Sequence, residues 1–168
     1  MRAYRIIAAA IILASAGSAH ATTLTGTPYI IDGDSLDFDR KDEIRLYGID
    51  APELHQACVH DGREWPCGRS ARNQLRKLID NQPVRCEVKD HDKYGRNVSI
   101  CYVQRDGKTI DLNREMVATG WAFAYRHYSM DYAPEEDAAI KTKAGMWDSD
   151  VMPPWDWRKL HPWHKKSD

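Results

Sequence analysis

The chain has 168 residues, 42% hydrophobic and 29% charged, with 24 Lys plus Arg against 25 Asp plus Glu and a net charge of −1. This length suits one domain with a single core, and the near balance of charge excludes a strong global field for nucleic acid or anionic lipid, though not a local basic patch. A mean hydropathy of −0.65 excludes a multi-span membrane protein, and six Trp with eight Tyr argue against disorder.

Residues 1–21 read as an export signal. Arg2 and Arg5 precede the apolar run from Ile6 to Ala14, and Ala19-His20-Ala21 has the small-x-small form of a cleavage site. The run is short of the roughly 20 residues that a helical span needs. Cleavage after Ala21 would place a mildly acidic mature protein in the periplasm or outside the cell, as a monomer without stable membrane association. Residues 22–150 then read as one domain and 151–168 as a Trp-rich basic tail.

In chain order, Tyr29 to Ile31 and Ser35 to Phe38 are strand-like and flank the tight-turn pair Asp32-Gly33. Leu36 and Phe38 alternate with polar residues, as do Ile44 and Leu46, the pattern of half-buried antiparallel strands, with Arg40 to Glu43 as the polar turn between them. From Gly68 to Asp80 the apolar residues Ala71, Leu75, Leu78 and Ile79 mark one face of a helix, leaving Arg69, Arg72, Arg76 and Lys77 to solvent. Two further strands, Val84 to Lys89 and Asn97 to Val103, precede a helix near Leu112 to Thr119 that Gly120 ends. A last helix begins around Pro134 and stops near Gly145. The order is βββαββαα, an α+β chain of mainly β character, and a five-stranded barrel with three outer helices absorbs it without exposed edges.

All four cysteines follow the signal, and an even number in an oxidising compartment favours two disulfides. Cys86 and Cys101 lie in adjoining strands, which pairs them and leaves Cys58 with Cys67. The rival reading is a zinc site from His55, Cys58, His60 and Cys67, whose spacing matches no regular zinc pattern.

Three clusters carry candidate chemistry: Ile31-Asp32-Gly33-Asp34-Ser35, Arg45 through Glu53, and Asp92-Lys93-Tyr94-Gly95-Arg96. Taken singly, each also reads as an ordinary turn, strand end or solvated loop. Together they place Asp34, Asp50 and Glu53 where carboxylates can converge, the oxygen donors a hard divalent cation requires. Arg45 and Arg96 add guanidinium forks that match phosphoryl oxygens. Glu53 has no structural partner in the sequence and is free to act as a general base.

The segments "IDGDS", "RLYGIDAPE" and "DKYGR" jointly resemble the staphylococcal-type thermonuclease family, and the likeness runs in order from about Tyr29 to Trp147. The resemblance implies a five-stranded OB-type barrel with three helices and a calcium-dependent hydrolase of DNA and RNA that leaves 3′-phosphate ends. Carried over, Asp34, Asp50 and the Ala51 carbonyl would hold one Ca2+ ion, Glu53 would be the general base, and Arg45 and Arg96 the transition-state arginines. Lys93 and Tyr94 would contact substrate, as would Tyr125 and Tyr128. A gapless alignment from Gly120 puts Arg126 where the family has the first of two pocket tyrosines and Tyr128 at the second. Two alternatives stand beside this reading: an OB-type module that only binds nucleic acid, and a nuclease-like protein of an envelope or polysaccharide pathway. The tail from Pro153 through Trp155, Trp157, Arg158, His161, Trp163, His164 and Lys166 reads as an aromatic clasp on the body, ahead of a platform for single strands.

Overall fold

A computed structural model describes residues 22–162. The export signal, Trp163, His164 and Lys166 lie outside the described residues. The chain runs β1 (Thr23–Gly26), β2 (Tyr29–Ile30), β3 (Ser35–Phe38), β4 (Asp42–Leu46), β5 (Ile49–Asp50), β6 (Cys58–His60), β7 (Arg63–Trp65) and α1 (Cys67–Ile79). It continues through β8 (Val84–His91), β9 (Asn97–Arg105), β10 (Lys108–Asp111), α2 (Leu112–Ala118), β11 (Phe123–Ala124), α3 (Ala133–Thr142), a 3-10 turn (Gly145–Asp148) and α4 (Pro154–Leu160).

The main sheet is seven-stranded, ordered β1-β8-β9-β4-β3-β2, with β10 also on β9. Its pairs are antiparallel except β4 with β9, where Ile44, Arg45 and Leu46 run parallel to Asn97, Val98 and Ser99. That parallel pair joins the two hairpin systems and curls the sheet into the expected OB-type barrel. Asn113 of α2 secures the junction from inside. Its side-chain amide donates to the Tyr47 and Ser99 carbonyls, and its oxygen accepts from the Cys101 N–H. A buried amide with every group satisfied fixes register where an apolar residue would slide.

Alternation places Leu36, Ile44, Leu46, Val84 and Val103 in the core, where α1 contributes Ala71, Leu75 and Ile79 at a spacing of one turn. Arg76 and Lys77 fill the last turn of α1, where positive charge suits the helix dipole, and Asp80 closes it in the left-handed conformation. Asp111 caps α2 by accepting from the Arg114 N–H.

The finer differences from expectation are one lengthened strand and several short added elements. Asp42 and Glu43 extend β4 into the anticipated turn, β1 adds an edge strand to β8, and β6 with β7 forms a separate hairpin after Glu53. A fourth helix, α4, follows the one expected to be last. All three additions are short and lack enough residues to show a period.

Cys86 is bonded to Cys101, directly opposite it across β8 and β9, and Cys58 to Cys67. The second bridge ties the β6–β7 hairpin to the first residue of α1 and removes both thiols from any zinc site. Gly68 then passes so close to the preceding loop that a Cβ there would lie 1.7 Å from the Glu53 carbonyl oxygen. Glu53 is thus seated on the N-terminal turn of α1 by a contact only glycine permits.

Closing a loop of 15 residues restricts the unfolded chain by about 3 kcal/mol. Urea unfolding of Cys86→Ala/Cys101→Ala should therefore show a stability loss of that order, and an unchanged midpoint would contradict it. Gly68→Ala forces the Glu53 loop or α1 to shift and should cost about 1–3 kcal/mol, the usual range for overpacking, measured as a lowered melting temperature.

Candidate active site

The first cluster forms a tight turn because Asp32 accepts the Asp34 N–H and Ile31 donates to the Ser35 carbonyl. Gly33 presses this turn against β5 and α1, since a Cβ there would meet the Ala51 and Ala71 methyls at 2.6 and 2.9 Å. Asp34 is thereby driven inward, and its Oδ2 accepts from the Ala51 N–H at 2.5 Å. Arg45 stands opposite Ser35 in the β3–β4 register. Its Nη1 reaches Asp34 Oδ1 and its Nη2 reaches Asp50 Oδ1, both at 2.5 Å. Asp34 and Asp50 are each only 1% exposed, so one guanidinium bridges two carboxylates almost without water.

Burial pushes the Asp34 carboxyl well above its ordinary range. Arg45 opposes the shift, while the charges of Asp32 and Asp50 reinforce it. Burial also works against the charge on Arg45, but Asp34 and Asp50 outweigh it and raise its pKa.

Glu53 follows on a loop that Gln56 organises. The buried Gln56 side chain accepts from the Glu53 N–H at 3.1 Å and donates to the Met152 carbonyl at 2.7 Å, while its own N–H donates to the Glu53 carbonyl. The sequence offered Glu53 no partner. The structure supplies one in Arg158 of α4, whose Nη1 lies 2.6 Å from Glu53 Oε1. The same guanidinium forks Asp50, with Nη2 2.7 Å from Oδ2 and Nη1 3.1 Å from Oδ1. Its pKa is raised: burial disfavours the charge, but the bonds to Asp50 and Glu53 prevail. Neither Gln56 nor Arg158 stood out as a site residue in the sequence. The only cue was the mixture of cations and aromatics around Arg158.

The third cluster is the turn between β8 and β9. Asp92 accepts from the Tyr94 and Arg96 backbone N–H groups and from Arg96 Nε at 2.7 Å, and Arg96 Nη1 lies 3.5 Å from Glu43. Among the described residues no hydrogen bond or ion pair links Arg96 to Asp34, Asp50 or Glu53. Glu43 and Arg45 nevertheless share one face of β4, two residues apart, about 7 Å along a strand. Tyr94 is 73% exposed, with Lys93 Nζ 5.0 Å and the Arg96 guanidinium 5.6 Å from its ring centre.

Tyr128 packs edge-on to Tyr47 and donates to Asp90 at 2.7 Å, a bond that pushes its hydroxyl pKa up to about 12. Tyr125 lies against Trp155 of the tail. Arg126 is committed to α3: it pairs with the buried Glu136 and with Asp137. Its guanidinium is therefore held by carboxylates of α3. Trp155 also meets Phe123, and Pro154 is buried, so α4 is seated on the body through its first turn.

Asp34, Arg45, Asp50, Ala51 and Glu53 thus form one connected centre, while Lys93, Tyr94 and Arg96 form a second on the β8–β9 turn. Among the described residues no group of three His, Cys, Asp or Glu side chains stands ready to hold a metal ion, and two guanidiniums lie among the acids instead. The donor set still suits a hard cation. Three carboxylates face two guanidiniums, and burial with the neighbouring acids still disfavours the Asp34 charge despite Arg45, a balance that a divalent ion would shift.

The staphylococcal nuclease homologue model matches residues 43–149. The chain is 33% identical to a micrococcal nuclease of Shigella flexneri over 95% of its own length and 94% of that protein's. It is 31% identical to the succinoglycan biosynthesis protein ExoI of Rhizobium meliloti, over 84% and 73% of the two chains. An uncharacterized endonuclease of Haemophilus influenzae matches at 32% identity over 77% and 70%. With its barrel, its paired buried aspartates and these relatives, the chain belongs to the staphylococcal nuclease family, as an endonuclease that hydrolyses phosphodiester bonds of nucleic acid.

Proposed function

We propose that the protein is an exported, calcium-dependent nuclease that cleaves DNA or RNA with little sequence preference and leaves 3′-phosphate ends. The observation that carries this reading is the buried Asp34–Arg45–Asp50 bridge with Glu53 beside it. Two disulfides support an oxidising compartment, and among the described residues no helix is long and apolar enough to cross a membrane.

In this reading the Asp34 and Asp50 carboxylates and the Ala51 carbonyl hold the cation. Bound calcium supplies Lewis-acid polarisation of a phosphate oxygen. Glu53, its side chain 23% exposed, takes a proton from the attacking water as the new P–O bond forms. Arg45, already oriented by two carboxylates, presents the N–H groups it has left to the phosphoryl oxygens as charge builds on them. The P–O5′ bond breaks, and the 5′ oxygen leaves with a proton from solvent. Lys93, Tyr94 and Arg96 guide the strand towards this centre, with Arg96 reaching the phosphate when it releases Asp92. Tyr125 and Tyr128 offer rings to the bases, with Arg126 unavailable.

The name of the Rhizobium meliloti relative attaches that protein to polysaccharide biosynthesis, which favours a second reading in which this chain serves an envelope pathway. A deletion strain complemented with the Glu53→Gln form separates the two: a pathway role without hydrolysis would be restored, a nuclease role would not.

Glu53→Gln should lower kcat about 100- to 10,000-fold, the usual contribution of a general base, with substrate Kd little changed. Wild-type turnover on single- or double-stranded substrate would remove Glu53 from the mechanism. Arg45→Lys keeps the charge but not the fork, and should be severely impaired even at low salt. Rates measured across a salt series that stay close to wild type would reduce Arg45 to a steering charge.

A further inference from the structure

Arg158 lies 108 residues beyond Asp50 in sequence, yet it engages both oxygens of that carboxylate and one oxygen of Glu53. Asp50 Oδ1 also accepts from Arg45. Each Asp50 oxygen therefore already carries a guanidinium hydrogen bond, one of them two. A divalent cation at Asp50 would stand within a few ångströms of this second positive group, against a carboxylate only 1% exposed, where like charges repel strongly.

We propose that Arg158 is a positioning residue that stands in for the divalent cation at Asp50 and steadies Glu53 beside it, so that cation binding and this guanidinium contact exclude one another. The inference rests on the reading of Asp50 as a cation ligand.

The construction of the tail fits such an exchange. Trp155 fastens the first turn of α4 to Phe123 and Tyr125, Pro154 beside it is buried, and Gln56 holds the Met152 carbonyl just before it. Arg158 lies one turn further on, its side chain 37% exposed. The guanidinium can thus withdraw into solvent by rotating its own side chain while the helix stays docked. Without the cation, Arg158 balances the surplus of carboxylates and keeps Asp50 and Glu53 in place. With the cation, it is the group the centre no longer needs. The interaction is reciprocal: whatever the contact contributes to docking the tail is subtracted from the affinity for the cation.

The test is calorimetric titration of calcium chloride, without nucleic acid, into the purified wild-type protein and its Arg158→Gln and Arg158→Lys variants. Arg158→Gln should bind calcium roughly ten- to a hundred-fold more tightly than wild type, the span of an ordinary coupling between two ligands of one centre. Arg158→Lys, with the charge but not the fork, should fall between them. In chelator, Arg158→Gln should melt below wild type, and saturating calcium should raise its melting temperature by the larger amount. Equal or weaker calcium affinity in Arg158→Gln overturns this inference alone, since the wild type then binds calcium without competition from Arg158. Absence of calcium binding in all three proteins overturns it together with the cation-ligand reading of Asp50.

Discussion

Two carboxylates almost without water, held apart and together by one guanidinium, set the terms for the rest of this molecule. A buried ion pair loses much of its hydration and regains it only if the geometry is tight and the remaining lone pairs are satisfied. Asp34 meets that condition through the Ala51 N–H and Arg45, and Asp50 through Arg45 and Arg158. The surrounding choices follow from this requirement. Gly33 lets the Asp32–Ser35 turn lie flush on α1, the β3–β4 register sets Arg45 across from Ser35, and β5 is held by β11. Weakening any of these would leave a charge in the interior without its partner, which is far more costly than losing an exposed pair.

Much of this was legible in the residues, for reasons of period and of spacing. Leu36 with Phe38 and Ile44 with Leu46 announce strands, and Ala71, Leu75 and Ile79 a helix, because burial on one face repeats every two or every four residues. Asp34, Arg45, Asp50 and Glu53 stood out because acids and a guanidinium recur at turn and strand ends in segments otherwise apolar. The cross-strand cysteines followed from the hairpin that carries them. What stayed hidden is non-local. No period in the sequence brings residues 44–46 to 97–99, the parallel join that closes the barrel. Gln56 is an unremarkable amide until its neighbours in space are known, and Arg158 is one cation among several in an aromatic tail. Glu53 looked unpartnered because its partner lies 105 residues away.

Around β11 a local ion pair fixes where one long side chain lies. Glu136 is buried in α3 and accepts from the Ala124 N–H with one oxygen and from Arg126 with the other. That double demand holds Arg126 against the helix and leaves the aromatic surface to Tyr125, Tyr128, Tyr47 and Trp155. An aromatic patch to which the tail adds a ring differs from one made by two near-adjacent tyrosines, because one of its four rings, Trp155, belongs to α4. The aromatic surface and the tail are in this way joined through Trp155.

The parallel join between β4 and β9 also has a meaning in time. Arg45 lies in a strand whose partner is synthesised some fifty residues later, and Asn113, which braces the same junction, later still. Closing so long a loop is entropically uphill before its contacts repay it, and topologies of this kind fold slowly. A growing chain that stops short of β9 therefore possesses Asp34, Asp50 and Glu53 without the frame that holds them. The strand that carries Arg45 thus gains its frame only once the chain has been made through Asn113.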